Sequence, residues 1–193
     1  GVEVFDAKSV KLVLVFRGKN LGKDVLEPMI VLLGDGVFGG EPQVLPGVAH
    51  ISTVPNTPVS VGEGVIACEK ASTLSDEQRA TVLGLLGKLG TVVELDSSLL
   101  FVGGTVGGCA PAFVAMAIEA LGDAAVKHGI PRADAYRIVS QMVLGTAKLQ
   151  LATGSIPQDA VCSPGGATIK GVVALEDAGM CSALVKAIDA TLQ

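Results

Sequence analysis

The sequence predicts an α/β layer in its first half followed by an all-α second half. Three observations carry this. Up to about Leu95, short apolar runs are punctuated by Gly and Pro. Within that stretch, the segment from Ser75 to Leu95 reads as helix, turn and strand, the alternation that builds α/β layers. Beyond it the chain changes to long Ala-rich stretches whose apolar residues recur at helical spacing.

The elements follow in order. Lys11 to Phe16, with Val and Leu in succession, reads as a buried strand. Leu21 to Leu33 reads as a helix, with Pro28 kinking it or delaying its start. Gly34 to Pro46 is a Gly- and Pro-rich connection. Ala49 to Val54 is a strand stopped by Pro55, and Gly64 to Cys68 a second short one. Ser75-Asp76-Glu77-Gln78 matches a capping box, which opens a helix expected to run to Leu89 with Gly90 as its terminal glycine. Asp76, Glu77 and Arg79 form its solvated face. Thr91 to Leu95 is then a β-branched strand.

Pro111 to His128 is the first long helix, stopped by His128, Gly129 and Pro131. Val114, Ile118, Leu121 and Ala125 form its apolar stripe, and Ala117, Ala120 and Ala124 leave the adjacent face small. Ala133 to Ala152 is the second long helix. Thr168 to Ala178 and Met180 to Leu192 are two shorter ones joined at Gly179. Small, apolar helix faces of this kind predict packing that continues into another subunit.

Composition sets limits on function. Of 193 residues, 49% are hydrophobic and only 17% charged, which excludes a disordered chain. The net charge of −5 and the lack of any basic run argue against binding nucleic acid. No continuous apolar run approaches the roughly 20 residues of a spanning helix, so no membrane partner is expected. The start, Gly1-Val2-Glu3-Val4, reads as no secretory leader. Cys68, Cys109, Cys162 and Cys181 form no C-x-x-C pair, and with two histidines no metal site is expected. Free thiols in an unexported chain point to the cytoplasm.

Three glycine-rich segments invite a ligand. Gly34-Asp35-Gly36-Val37-Phe38-Gly39 matches G-x-G-x-x-G as a string, but Gly40 and Pro42 follow where a helix must start, so it reads as a connection. Gly103-Gly104-Thr105-Val106-Gly107-Gly108 precedes the helix at Pro111 and admits two readings: backbone approach to a ligand, or close helix packing. Cys162-Ser163-Pro164-Gly165-Gly166-Ala167-Thr168 is a loop of small residues running straight into a helix. Its successive N–H groups can converge on an anion, or it can be an ordinary helix cap.

Several segments together resemble the pyrroline-5-carboxylate reductase family of proline biosynthesis. Asp159 to Gly171, with the Ser163–Thr168 loop at its centre, resembles the family's signature, and Leu175-Glu176 and Ala178-Gly179-Met180 continue it. Val54-Pro55-Asn56-Thr57-Pro58 resembles the family's M-P-N-T-P turn. Gly108-Cys109-Ala110-Pro111-Ala112-Phe113 with Glu119-Ala120-Leu121 resembles G-S-G-P-A-Y…E-A-L, and Gln141 to Lys148 resembles Q-x-x-x-G-x-A-K.

The resemblance implies a Rossmann-type cofactor domain over 1–96, here partial, and a helical dimerisation and substrate domain over 97–193. It implies an NADPH- or NADH-dependent oxidoreductase that reduces the C=N bond of 1-pyrroline-5-carboxylate to give L-proline. The enzyme would work as a homodimer or a higher oligomer built from one. Ser163, Gly165, Gly166 and Ala167 would bind the substrate carboxylate, Thr168 would hydrogen-bond the ring nitrogen as the catalytic residue, and Asn56 would lie near the nicotinamide. The family's phosphate-binding glycine loop has no counterpart here, and Phe16-Arg17-Gly18-Lys19 stands where A-V-K-P is expected. The S-I-A-A-G-V segment is rewritten around Gly36 to Glu41, and Gly154 to Gln158 is shorter than G-x-H-P-x-x-L-K. These departures keep a second expectation open: a truncated, non-catalytic relative acting as a dimerisation or ligand-binding module.

Overall fold

The computed structural model describes residues 2–5, 12–16, 29–33, 49–154 and 161–193, the first three segments as backbone strands. The chain divides into two compact units, one over Gly1–Ala110 with Thr191–Gln193 and one over Pro111–Ala190.

The first unit is built on a six-stranded sheet in sequential order: β1 (Val2–Phe5), β2 (Leu12–Phe16), β3 (Met29–Leu33), β4 (Ala49–Pro55), β5 (Gly64–Glu69) and β6 (Gly90–Leu95). The first three strands pair antiparallel, β3 pairs parallel with β4, β4 antiparallel with β5, and β5 parallel with β6. The expected strands at Lys11–Phe16, Ala49–Val54, Gly64–Cys68 and Thr91–Leu95 are all present.

One expected element is different. Met29–Leu33 is a strand, in register with Leu12–Phe16 on one side and Ala49–Thr53 on the other, and not the end of a helix. Met29-Ile30-Val31-Leu32-Leu33 is an unbroken apolar run between Pro28 and Gly34, the pattern of a strand covered on both faces, and Pro28 bars a helix from continuing into it. The G-x-G-x-x-G string at Gly34–Gly39 lies outside the described residues.

β5, α1 (Asp76–Leu86) and β6 form the right-sized crossover for a parallel pair. The core sits here. Val82 and Leu86, one turn apart on α1, are buried with Ile51, Ile66 and Cys68 of β4 and β5, and Leu74, Leu83 and Val92 pack around them. Burial also pushes the Cys68 thiol up to about 11, so it stays protonated and acts as a small apolar residue.

The capping box at the start of α1 is formed as expected. The Gln78 N–H donates to Ser75 Oγ at 3.3 Å, and the Ser75 N–H donates to Gln78 Oε1 at 2.9 Å. The helix ends earlier than expected, at Leu86 with Gly87 as cap. Gly90 opens β6 instead, at φ +147°, where a side chain would run into the backbone of Gly64. Arg79 also departs from the solvated face assigned to it. It is half-buried, pairs with Glu94 of β6 and donates to Ser72 Oγ at 3.1 Å, fastening α1 to the neighbouring strand.

The largest correction concerns the first long helix. α2 spans Ser97–Lys127, so it begins 14 residues before Pro111 and carries that proline in its interior. The glycine cluster is therefore helix, and of its two readings the close-packing one describes it. Side chains at Gly103, Gly104 and Gly107 would collide with Leu95, Val54 and Val65 respectively, with the last two contacts at 2.9 Å. Glycine has low helix propensity, which hid the element, yet here it lets α2 lie close on the sheet. Thr105, between these glycines, is 2% exposed and its hydroxyl has no hydrogen-bond partner.

The same helix corrects the hydropathy reading. Glycines interrupt its apolar runs, but no charged residue occurs from Ser97 to Ile118, and α2 is long and apolar enough by length and composition to cross a membrane. Its glycines pack on the sheet, while Leu99, Phe101, Val102 and Val106 of the same stretch remain exposed.

The second unit contains the remainder of α2, then α3 (Arg132–Thr153), α4 (Ala167–Asp177) and α5 (Met180–Thr191). α2 stops as its sequence signals. Gly129 takes φ +95° after Lys127, and Pro131 serves as N-cap of α3. Tyr136 lies over Gly122, and Arg132 pairs with Asp123 at 2.8 Å across the hairpin. Gly179, at φ +76°, joins α4 to α5.

Among its described residues, only Ala135, Val139 and Gly122 are buried. Large apolar side chains face outward along every helix, including Met116 at 67% exposure, Leu151 at 82% and Val185 at 62%. That is far beyond scattered surface hydrophobes and marks an interaction surface.

Candidate active site

The segment Ser163–Thr168 forms a tight turn that delivers the chain into α4. Gly165 sits in the left-handed region at φ +70°, which a side chain adopts only with strain, and Gly166 is the N-cap in extended conformation. The Gly166 N–H donates to the Ser163 carbonyl at 3.0 Å, closing the turn. Ala167 and Thr168 are the first two helical residues, and both are exposed with Ser163.

Among the described residues, this helix start differs from that of α1 in lacking a side-chain cap. No side chain caps α4 and no acidic residue lies in its first turn, whereas α1 has the Ser75 cap and Asp76 and Glu77. The unpaired N–H groups of a first turn, together with the helix dipole, attract an anion such as a carboxylate. The hydroxyls of Ser163 and Thr168 stand beside them in sequence. The structure thus brings Ser163, Gly165, Gly166, Ala167 and Thr168 into one turn of backbone. Asp159 and Ala160, at the head of the signature, lie outside the described residues.

Asn56 belongs to the first unit. It follows β4 and precedes a short 3-10 helix over Thr57–Val61. Its side-chain amide is occupied at both ends: Nδ2 donates to the Gly107 carbonyl at 3.1 Å, and Oδ1 accepts from the Val65 N–H at 2.9 Å. Sequence reasoning assigned Asn56 only a place near a cofactor and missed these bonds.

No cluster of three or more His, Cys, Asp or Glu able to hold a metal occurs among the described residues. Cys109 and Cys162 are half-buried free thiols, and Cys181 donates to Glu176 Oε1 at 3.1 Å, which raises its pKa.

A family profile described as "Pyrroline-5-carboxylate reductase dimerisation" matches residues 98–193. The pyrroline-5-carboxylate reductase of Treponema pallidum is 40% identical over 161 residues, covering 82% of this chain and 60% of that protein. The chain belongs to the pyrroline-5-carboxylate reductase family. The Escherichia coli pyrroline-5-carboxylate reductase is 39% identical over 141 residues, covering 72% of this chain and 52% of the relative. The chain thus spans between about half and three-fifths of the length of these two reductases.

Solved structures agree with the sequence. The 1-pyrroline-5-carboxylate reductase of Streptococcus pyogenes superposes with a TM-score of 0.69 at 32% identity, over 76% of this chain and 57% of that one. Plasmodium falciparum pyrroline carboxylate reductase with NADP bound gives a TM-score of 0.74 at 26% identity, over 84% and 68%. The fold class is that of the family: a partial Rossmann-type α/β part followed by a helical part.

Proposed function

We propose that the protein is a pyrroline-5-carboxylate reductase, which reduces 1-pyrroline-5-carboxylate to L-proline at the expense of NADPH or NADH, in the last step of proline biosynthesis. The observation that carries this is the uncapped start of α4. The family signature falls on a turn whose first helical N–H groups have no side-chain cap among the described residues.

In this reading the N–H groups of Ser163, Gly165, Gly166 and Ala167 anchor the substrate carboxylate, with that of Gly166 also holding the turn closed through Ser163. Anchoring the carboxylate fixes the position of the ring, which removes much of the orientational entropy of the reaction. Thr168 then hydrogen-bonds the ring nitrogen. Its hydroxyl polarises the imine or holds a water that delivers the proton, so that the nitrogen becomes the secondary amine of proline.

Of the strand-to-helix turns among the described residues, the one from β5 to α1 closes its helix start with its own capping box and leaves no open cradle for a pyrophosphate there. When bound, NADPH or NADH supplies the hydride that adds to the C=N carbon. Asn56 and the turn after β4 are assigned to the nicotinamide side.

The working form is a homodimer, or a higher oligomer built from one, and the outward-facing apolar helices support it. Residues 1–96 are the partial cofactor domain and 97–193 the dimerisation and substrate domain. A soluble, cytoplasmic setting without nucleic-acid or membrane partners belongs to the same reading.

Separate titrations with L-proline and NADPH test the assignment. Proline binding that is lost in Gly165→Val supports the carboxylate turn, because a β-branched residue is a genuine outlier at positive φ. Proline binding unchanged in that variant overturns it. Proline binding with no NADPH binding at all points instead to a ligand-binding relative.

A further inference from the structure

Pro111 and Asn56 are far apart in sequence but solve one problem. A proline in a helix interior has no N–H, so the carbonyl four residues earlier loses its intrahelical donor. For Pro111 that carbonyl belongs to Gly107. The Gly107 oxygen is the very atom to which Asn56 Nδ2 donates, at 3.1 Å, from the end of β4. The other end of the same amide accepts from the Val65 N–H at the start of β5, at 2.9 Å.

We propose that Asn56 is a positioning residue that forms an interlock with Pro111. The proline frees a carbonyl on α2, and the asparagine captures it, pinning the β4 turn and the β5 entry to the last helical turn before the proline. The pin sits where the chain passes from the first unit to the second, between Ala110 and Pro111. It ties the Val54–Pro58 turn to Gly107, the residue just before the Gly108–Phe113 segment. A plain helix packing on a sheet would need neither residue. Gly107 supports the arrangement from the other side, since any side chain there would press on Val65. The inference uses contacts within the first unit alone, so it stands or falls independently of the proposed reaction.

A double-mutant cycle on the full 193-residue protein tests it, using denaturant unfolding at one fixed protein concentration. Asn56→Ala leaves both the Gly107 carbonyl and the Val65 N–H unsatisfied, and the folding equilibrium constant is expected to fall about 100-fold. Pro111→Ala restores the helix's own donor to Gly107. In that background the loss from Asn56→Ala is expected to shrink to about tenfold, the share due to Val65 alone. Asn56→Asp provides the second measurement. It keeps an acceptor for Val65 and removes the donor to Gly107, so its loss should also shrink when Pro111→Ala is added.

A variant at Asn56 that folds only together with Pro111→Ala supports the interlock. Equal losses in both backgrounds, or failure of both double variants to fold, would overturn it. Hydrogen exchange at the Val65 amide adds a local readout. It should quicken in Asn56→Ala and stay quick when Pro111→Ala is added, because the proline change repairs only the Gly107 side.

Discussion

Thr168→Ala is expected to lower kcat for pyrroline-5-carboxylate reduction about 100-fold, the usual scale for a positioned proton donor. Stability should hardly change. Thr168 is exposed in the first turn of α4, and the substitution removes only a hydroxyl and a methyl group from a helix position where Ala is favoured. The separation of the two effects is the point. Substrate affinity should fall less than kcat, because the backbone N–H groups proposed to hold the carboxylate are left in place by the substitution. Thr168→Ser should recover much of the rate. Full activity in Thr168→Ala would remove Thr168 from the chemistry, and an equal loss of folding and activity would make it a structural residue.

The second large effect lies on α3. Ile138 and Met142 are one turn apart on α3, and both are largely exposed. If a second copy covers this face, replacing both by Asp places charges where apolar surface is buried. Each lost apolar side chain costs about 1.5–3 kcal/mol, and a two-fold interface counts every substitution twice. The expected result in light scattering is a dimer mass for the natural protein and a monomer mass for Ile138→Asp/Met142→Asp. Helical circular dichroism should fall with it, since the second unit buries few of its own side chains. A natural protein that is monomeric at micromolar concentration, with its helices intact, would contradict the proposed assembly.

These expectations rest on features of unequal visibility in the sequence. The capping box at Ser75 and Gln78, the stop at Gly129 and Pro131, and the joint at Gly179 were legible because each depends on local chemistry within a few residues. Met29–Leu33 was misread because a short apolar run has no period, and only its pairing with β2 and β4 makes it a strand. The first half of α2 was hidden for a related reason. Four glycines and an internal proline oppose helix formation locally, and the gain comes from packing against Leu95, Val54 and Val65, distant in the fold's construction though not all in sequence. The proposed carboxylate turn stood out as a string of small residues before a helix, but its family signature supplied the roles. The bonds of Asn56 were not legible at all, since a proline's missing donor on one segment says nothing about which segment will replace it.

The most direct test is proline formation. The purified protein is incubated with 1-pyrroline-5-carboxylate and NADPH or NADH, and proline and oxidised cofactor are both counted. The account predicts one proline for each cofactor molecule oxidised, with the rate lost in Thr168→Ala. A folded, dimeric protein that yields no proline above background with either cofactor would contradict it.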